Sequence, residues 1–366
     1  MDNHIESDVV YTAIATPNIA LVKYWGKRGD GSLNLPNNSS VSFTLSENTL
    51  NTKTSVAIAP NINEDMIYIN GELQTKDQAN EKTTFITRII KEMKEKAGVR
   101  DNLLVVSNNS FPTGSGLASS ASGASALVFA LNALLGLKMD SRNLSIIARK
   151  ISGSACRSVI GGFVYWRKGE LEDGSDSYAE QIAPYSYWDL VDIIGIVDEA
   201  RKKVSSSQGH SATVKTSVFY KSRPEYAEKN ARSVVDAVRG RDFAALAEVV
   251  MRDSNNMHAS MLDTWPPIRY LNDKSWSIIE AVHDLNMRNG ESIAAYTFDA
   301  GPNAHIITTT KHVNEVKKML LGVLGEGSRI LEAQVGSGPR LLPESDSLIS
   351  DESLKAAESK AKMLNI

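Results

Sequence analysis

Twelve consecutive residues, Pro112-Thr113-Gly114-Ser115-Gly116-Leu117-Ala118-Ser119-Ser120-Ala121-Ser122-Gly123, contain one large side chain, Leu117. They join a short apolar run at 103–107, which reads as a strand, to the apolar stretch 124–137, which reads as a buried helix. Small residues at such a junction let backbone N–H groups approach a ligand. The helix start adds unpaired donors and the positive end of its dipole. Ser119 and Ser120 add hydroxyls suited to a phosphate or to a magnesium ion. A second use of the same residues is close packing of the helix on a sheet. The length of the run and its place between strand and helix favour phosphate. It is neither a Walker loop, which needs Gly-Lys-Ser/Thr, nor a dinucleotide fingerprint.

The flanking sequence sets the fold class. Residues 9–15 and 53–59 are rich in β-branched side chains, and 66–70 enters a tight turn at Asn70-Gly71, so strands are predicted at each. Phe85, Ile86, Ile89, Ile90 and Met93 recur at helical spacing within 80–97. Further on, the spacing predicts helices over 226–238, 243–261, 274–289 and 313–324. Strands are predicted over 193–197, 294–298, 304–309 and 329–335. No regular βαβ rhythm connects them, which points to an α+β fold. A boundary near Pro184 divides the chain into a phosphate-binding unit, 1–184, and a C-terminal α+β unit, 185–366. The polar segment from 344 onward is expected to be a surface helix or partly disordered.

Composition narrows the function. Hydrophobic residues at 42% of 366 are enough for a sizeable core, and a net charge of −3 argues against nucleic acid as a partner. One cysteine, Cys156, cannot form an internal disulfide. The first ten residues lack a basic and then apolar leader, and 124–137 is too short and interrupted to span a bilayer. A cytoplasmic enzyme without membrane association is the expectation.

Four further segments carry candidate chemistry. Lys23-Tyr24-Trp25-Gly26-Lys27 pairs two lysines that a helical turn would place on one face, suited to an anion or simply to solvent. Ser152-Gly153-Ser154-Ala155-Cys156-Arg157-Ser158 offers a planar guanidinium for a carboxylate or phosphate. Its serines, like Ser205-Ser206-Ser207, also suit ordinary loop hydrogen bonding. Cys156 reads as a buried spectator. Asp299, at a strand end before Ala300-Gly301-Pro302-Asn303, is a general base or a turn cap. His258, His283 and His305 lack metal-ligand spacing and read as structural.

In combination and order these segments resemble the mevalonate diphosphate decarboxylase branch of the GHMP kinase superfamily. Pro17-Asn18-Ile19-Ala20, Lys23 to Lys27, Leu33-Asn34-Leu35-Pro36, the glycine-rich run, Gly153 to Ser158, Asp253-Ser254-Asn255 and Phe298 to Asn303 carry the resemblance. It implies a two-domain α+β fold with the active site in the inter-domain cleft, and a homodimer. It also implies Asp299, Arg157 and Lys23 as catalytic residues acting on a phosphorylated mevalonate. Asn18, Tyr24, Lys27, Ser152, Ser154 and Ser206 would bind substrate. Gly114, Ser115, Gly116, Ala118, Ser119 and Ser120 would hold ATP, Ser120 meeting its magnesium. The sequence departs from the usual pattern at two places: His210 in place of methionine, and Gly114-Ser115 in place of two alanines. The first reading is ATP-dependent decarboxylation of mevalonate 5-diphosphate to isopentenyl diphosphate. The alternatives are decarboxylation of the 5-phosphate with ATP, decarboxylation of the 3,5-bisphosphate with neither ATP nor magnesium, and a small-molecule kinase without decarboxylation.

Overall fold

The computed structural model describes residues 9–74, 81–111, 119–197 and 204–364. The chain opens with β1 (Val10–Ala15), β2 (Asn18–Val22), β3 (Ser40–Thr44), β4 (Thr52–Ile58), β5 (Met66–Ile69) and β6 (Glu72–Leu73). There follow α1 (Glu81–Ala97), β7 (Leu103–Asn109), α2 (Ser119–Leu134), α3 (Ser141–Ile151), α4 (Ala155–Ser158), β8 (Phe163–Trp166) and β9 (Ala179–Ala183). Beyond these lie β10 (Leu190–Gly195), α5 (Ser206–Thr216), α6 (Arg223–Gly240), α7 (Phe243–Leu262) and α8 (Asp273–Asn289). The remainder is β11 (Ala294–Phe298), β12 (Ala304–Thr309), α9 (Val313–Leu324), β13 (Ile330–Gln334), β14 (Arg340–Leu342) and α10 (Asp351–Leu364).

Three sheets organise these elements: β14-β1-β4-β7-β5-β6, β2-β3-β8-β9 and β11-β12-β10-β13. Pairing is antiparallel except between β5 and β7, which agrees with the α+β expectation. Sheet and helix meet in the core as the apolar pattern requires. α6, α7, α8 and α9 bury Val234, Leu246, Val250, Ile278, Val282 and Leu320 with Ile193, Ala295, Tyr296 and Ile306 of the third sheet.

The small residues of α2 serve the packing use at their C-terminal end. Ala121, Ser122, Ala124, Ser125 and Ala126 are buried, and the helix lies on β1 and β4. The Ser122 and Thr52 hydroxyls share a 2.7 Å hydrogen bond, and the Ser125 hydroxyl donates to the Ser158 carbonyl at 2.8 Å. The hydroxyls in this tight contact therefore keep partners, as burial demands.

Several elements differ from the sequence expectation. Residues 205–208, read as a serine loop, begin α5. The Ser205 hydroxyl accepts from the Gln208 N–H and the Gln208 side chain accepts from the Ser205 N–H, a capping box. β8, β9 and α3 were not anticipated. The polar tail does form a helix, but α10 is not only a surface element: Ala357 and Ala361 are buried with Ala57, Met66 and Leu104.

Candidate active site

Lys23 and Asp299 each occupy the first position beyond an edge strand. β2 is the edge of its sheet and ends at Val22, and β11 is the edge of another and ends at Phe298. The two side chains meet across the gap, the Lys23 ammonium donating to Asp299 Oδ1 at 2.7 Å. The lysine side chain is 1% exposed and the aspartate side chain 32%, so the carboxylate opens to solvent while the ammonium lies behind it. A register shift between Ala20 and Val22 precedes Lys23, a bulge that turns the chain at this point. The expected helical turn holding Lys23 and Lys27 on one face is absent. Ile19, Leu21 and Val22 are all buried in a strand, and Lys27 pairs with Pro36 in an isolated bridge.

Both backbones are gripped by one helix. An edge strand leaves N–H and C=O groups that need partners when buried. Asp253 Oδ2 on α7 accepts from the Lys23 N–H at 2.7 Å. The next residue, Ser254, accepts on Oγ from the Phe298 N–H at 3.0 Å. One turn later the His258 Nε2 lies 3.4 Å from the Phe298 carbonyl. Asp253 itself is paired with Arg223 at 3.2 Å, both side chains fully buried. Arg223 also donates to the Lys23 carbonyl at 3.1 Å and to Asn256 Oδ1 at 2.7 Å, and Asn230 donates to Asp253 Oδ1 at 3.1 Å. Such a web is what a buried ion pair requires to offset its desolvation.

Arg157 stands on α4, where burial pulls its guanidinium pKa down and Cys156, Asp299 and Tyr24 oppose that shift. Its Nε donates to Asn18 Oδ1 at 3.1 Å and one terminal nitrogen to the Ser40 hydroxyl at 2.5 Å. The guanidinium carbon lies 5.5 Å from the centroid of the Trp166 ring. Asn18 is committed at its other end too, donating to the Ser154 carbonyl at 3.0 Å and the Ser158 hydroxyl at 2.8 Å. Its amide therefore orients Arg157 from below. Cys156 is buried beside it, and burial pushes the thiol up to about 12 despite the neighbouring Arg157, which fits the spectator role.

A second group extends from Lys23 along the chain. The Tyr24 ring contacts Trp166 edge-on at 4.7 Å and His210 at 4.6 Å between centroids. Burial pushes its hydroxyl pKa up. Gly153 lies against this ring so closely that a Cβ would stand 2.4 Å from Tyr24 Cε1, which explains a glycine between Ser152 and Ser154. His210 on α5 accepts the Gly26 N–H on Nδ1 at 2.8 Å and lies 4.3 Å from the Trp25 ring. Burial, then the Lys27 charge, lower its pKa well below the usual range, so the ring is neutral. With Nδ1 accepting, the proton sits on Nε2. The Lys27 ammonium lies 3.4 Å from the Ser207 hydroxyl, which brings the start of α5, including Ser206, to the basic segment. The Ser120 and Ser152 hydroxyls are 3.3 Å apart, joining the first turn of α2 to the end of α3.

The structure thus brings Lys23 to Asp299 and Arg157 to Asn18, sets Tyr24 against Gly153 between Ser152 and Ser154, and brings Lys27 to the start of α5, where Ser206 lies. Ser119 and Ser120 begin α2. Gly114, Ser115, Gly116 and Ala118 lie outside the described residues. His258, His283 and His305 contact Phe298, Tyr296 and Asp192 respectively, as structural histidines would. Sequence reading gave no part to Arg223, Asn38 or Ser40. Arg223 and Ser40 take partners 30 and 117 positions away, and Asn38 bonds the Lys23 carbonyl 15 positions away, pairings that a single sequence does not display. Among the described residues no group of three or more His, Cys, Asp or Glu is placed to hold a metal ion.

Two family models match this chain. Residues 15–179 match a family model described as the diphosphomevalonate decarboxylase-like N-terminal domain, and 192–364 match one described as the mevalonate 5-diphosphate decarboxylase C-terminal domain. The diphosphomevalonate decarboxylase of Debaryomyces hansenii is 39% identical, covering 95% of this chain and 99% of its own. That of Saccharomyces cerevisiae is 46% identical, covering 81% and 77%. Among solved structures, mevalonate diphosphate decarboxylase from Trypanosoma brucei aligns with a TM-score of 0.85 at 32% identity, over 93% of this chain and 100% of its own. MDDEF in complex with MVAPP, AMPPCP and magnesium aligns with a TM-score of 0.81 at 34% identity, over 91% and 99%.

Proposed function

This chain belongs to the diphosphomevalonate decarboxylase family, and from that membership we propose that it converts mevalonate 5-diphosphate to isopentenyl diphosphate and CO2, using ATP and magnesium. The observation that carries the reading is the buried Lys23 ammonium held at 2.7 Å against a solvent-open Asp299 carboxylate. Arg157, buried and held by Asn18 and Ser40, is a guanidinium that a kinase acting without decarboxylation would not need. The relative solved with AMPPCP and magnesium favours ATP use over the bisphosphate alternative.

The nucleotide site fits its ligand at the residues described. α2 presents its positive end and two half-buried serines, and the Ser120 hydroxyl faces that of Ser152. Magnesium would arrive on the nucleotide phosphates, with Ser120 as a protein oxygen ligand. ATP supplies the phosphoryl group that turns the C3 hydroxyl into a leaving group.

The chain's own residues do the rest. Asp299 accepts the proton of the C3 hydroxyl and orients its oxygen. Lys23 neutralises charge as the C3–O–P bond forms. Asp299, open to solvent, then releases that proton to water. When the C3–O bond breaks, phosphate departs with the electron pair and positive charge grows on C3, which the restored Asp299 carboxylate stabilises. The bond between the carboxylate carbon and C2 then breaks, its electrons form the C2–C3 double bond, and CO2 leaves. Arg157, oriented by Asn18 and Ser40, holds that carboxylate so the breaking bond lines up with the emptying orbital. Tyr24, Lys27, Ser152, Ser154 and Ser206 take the diphosphate end. A homodimer in the cytoplasm completes the proposal, and no helix among the described residues is long and apolar enough to cross a membrane.

The test supplies mevalonate 5-phosphate, 5-diphosphate and 3,5-bisphosphate, each with and without ATP-magnesium, and measures CO2 and ADP. CO2 and ADP in equal amounts are expected from the diphosphate with ATP. CO2 from the bisphosphate without ATP, and none from the diphosphate, would replace this substrate. Asp299→Asn should lower CO2 release by roughly 100-fold or more, as expected on losing a positioned base.

A further inference from the structure

We propose that Asp253 and Ser254, consecutive residues of α7, are positioning residues that set the separation of Lys23 and Asp299. The inference rests on the catalytic roles given above to that pair. Lys23 and Asp299 follow strands of different sheets, so no strand pairing between β2 and β11 sets their separation. α7 packs on both β2 and β11. Asp253 takes the peptide N–H of Lys23 itself, and Ser254 takes the N–H of Phe298, the residue before Asp299. Two adjacent side chains of one rigid helix therefore hold the two backbones from which the reacting groups project.

The clamp is anchored on the lysine side by more than one bond. Arg223 holds the Lys23 carbonyl while paired to Asp253, and Asn38 donates to the same carbonyl at 3.1 Å. On the aspartate side, Asn255 donates to the Tyr296 hydroxyl at 2.9 Å, so three successive residues of α7 fasten to the site's two edges. Asp253 and Ser254 are 0% and 1% exposed, which keeps them from substrate and leaves them an indirect role. Catalytic geometry is sensitive at this scale: a displacement of about 1 Å from a remote change costs on the order of 100-fold in rate.

Ser254 is the residue to test, because altering Asp253 would leave the buried Arg223 charge without its partner. Ser254→Ala in the full chain removes one acceptor and no charge. CO2 release and substrate affinity are measured for the wild type, Ser254→Ala, Asp299→Asn and the double variant. The expected result is a kcat lowered about 10- to 100-fold with KM and calorimetric substrate affinity within about 3-fold. No further loss is expected when Ser254→Ala is added to Asp299→Asn. A kcat within about 2-fold of wild type, a loss expressed in KM alone, or full additivity in the double variant overturns the clamp. If Asp299→Asn turns over like the wild type, the premise about Asp299 falls and takes the clamp with it. An inactive Asp299→Asn beside a fully active Ser254→Ala removes the clamp alone.

Discussion

Gly153→Ala adds a single methyl group between Ser152 and Ser154, against the Tyr24 ring. The new carbon would lie 2.4 Å from Tyr24 Cε1, 2.8 Å from Cζ and 2.8 Å from the hydroxyl oxygen. Carbon atoms rest about 3.5–4.0 Å apart, so the ring must retreat by roughly 1.1–1.6 Å. Trp166 at 4.7 Å and His210 at 4.6 Å between centroids pack against the ring and leave it little room to move. Overpacking of this kind costs about 1–3 kcal/mol. With an unfolding entropy of about 2.1 cal/mol/K per residue, that lowers the midpoint by about 1–4 °C. Displacing Tyr24 also moves Lys23, its neighbour in sequence, so KM for mevalonate 5-diphosphate should rise and kcat should fall. The assay pairs thermal melting with steady-state CO2 release, in the wild type and in a Tyr24→Ala background. An unchanged midpoint and KM in Gly153→Ala would refute the argument. So would an equal loss in the Tyr24→Ala background, where the clashing ring is gone.

Two further outcomes follow from burial and charge. Burial holds the His258 pKa down to about 4, below its unfolded value, so the unfolded chain binds the extra proton as pH falls from about 6.5 towards 4. The resulting contribution, about 3 kcal/mol, is complete above that window and lost across it. Urea midpoints between pH 4 and 7 should show a shallower slope for His258→Gln, and an unchanged slope would contradict the assignment. Arg157→Lys keeps the charge but loses the planar fork that meets both Asn18 and Ser40. It should reduce kcat by roughly 100-fold, measured as CO2 release at saturating substrate, and full activity would remove the aligning role.

Much of the scaffold was legible because its periodicity is strong. The strands at 294–298 and 304–309 alternate or run apolar between clear turn signals, and the structure places β11 and β12 at those residues. That register put Asp299 at a strand end before any contact was known. Lys23 was legible as a charged residue but misread in conformation. Its spacing to Lys27 suggested a helix, whereas the apolar run Ile19-Ala20-Leu21-Val22 is buried as a strand and prevails. The capping pair Ser205 and Gln208 was present in the sequence as a helix-start signal, and went unread because the serines between them suit loops equally well. β8 is short and aromatic and β9 short and mixed, Ala-Glu-Gln-Ile-Ala, each with too few residues to establish a period. Arg223 is a different kind of omission. A fully buried arginine owes its place to an aspartate thirty positions away, and no local pattern encodes that pairing.

The pairing of β14 with β1 bears on how the chain is made. Thr12 lies opposite Leu342, so β1 acquires its second neighbour only after about 330 further residues have been synthesised. At ~5–20 residues per second, translation leaves that strand edge waiting on the order of tens of seconds. The face bearing Ala57, Met66 and Leu104 also waits for Ala357 and Ala361 of α10 to cover it. The first sheet therefore cannot complete itself during elongation, and a ribosome stalled within the second half would display an unpaired edge beside an apolar surface. Nascent chains of this protein would need shielding by chaperones for most of their synthesis.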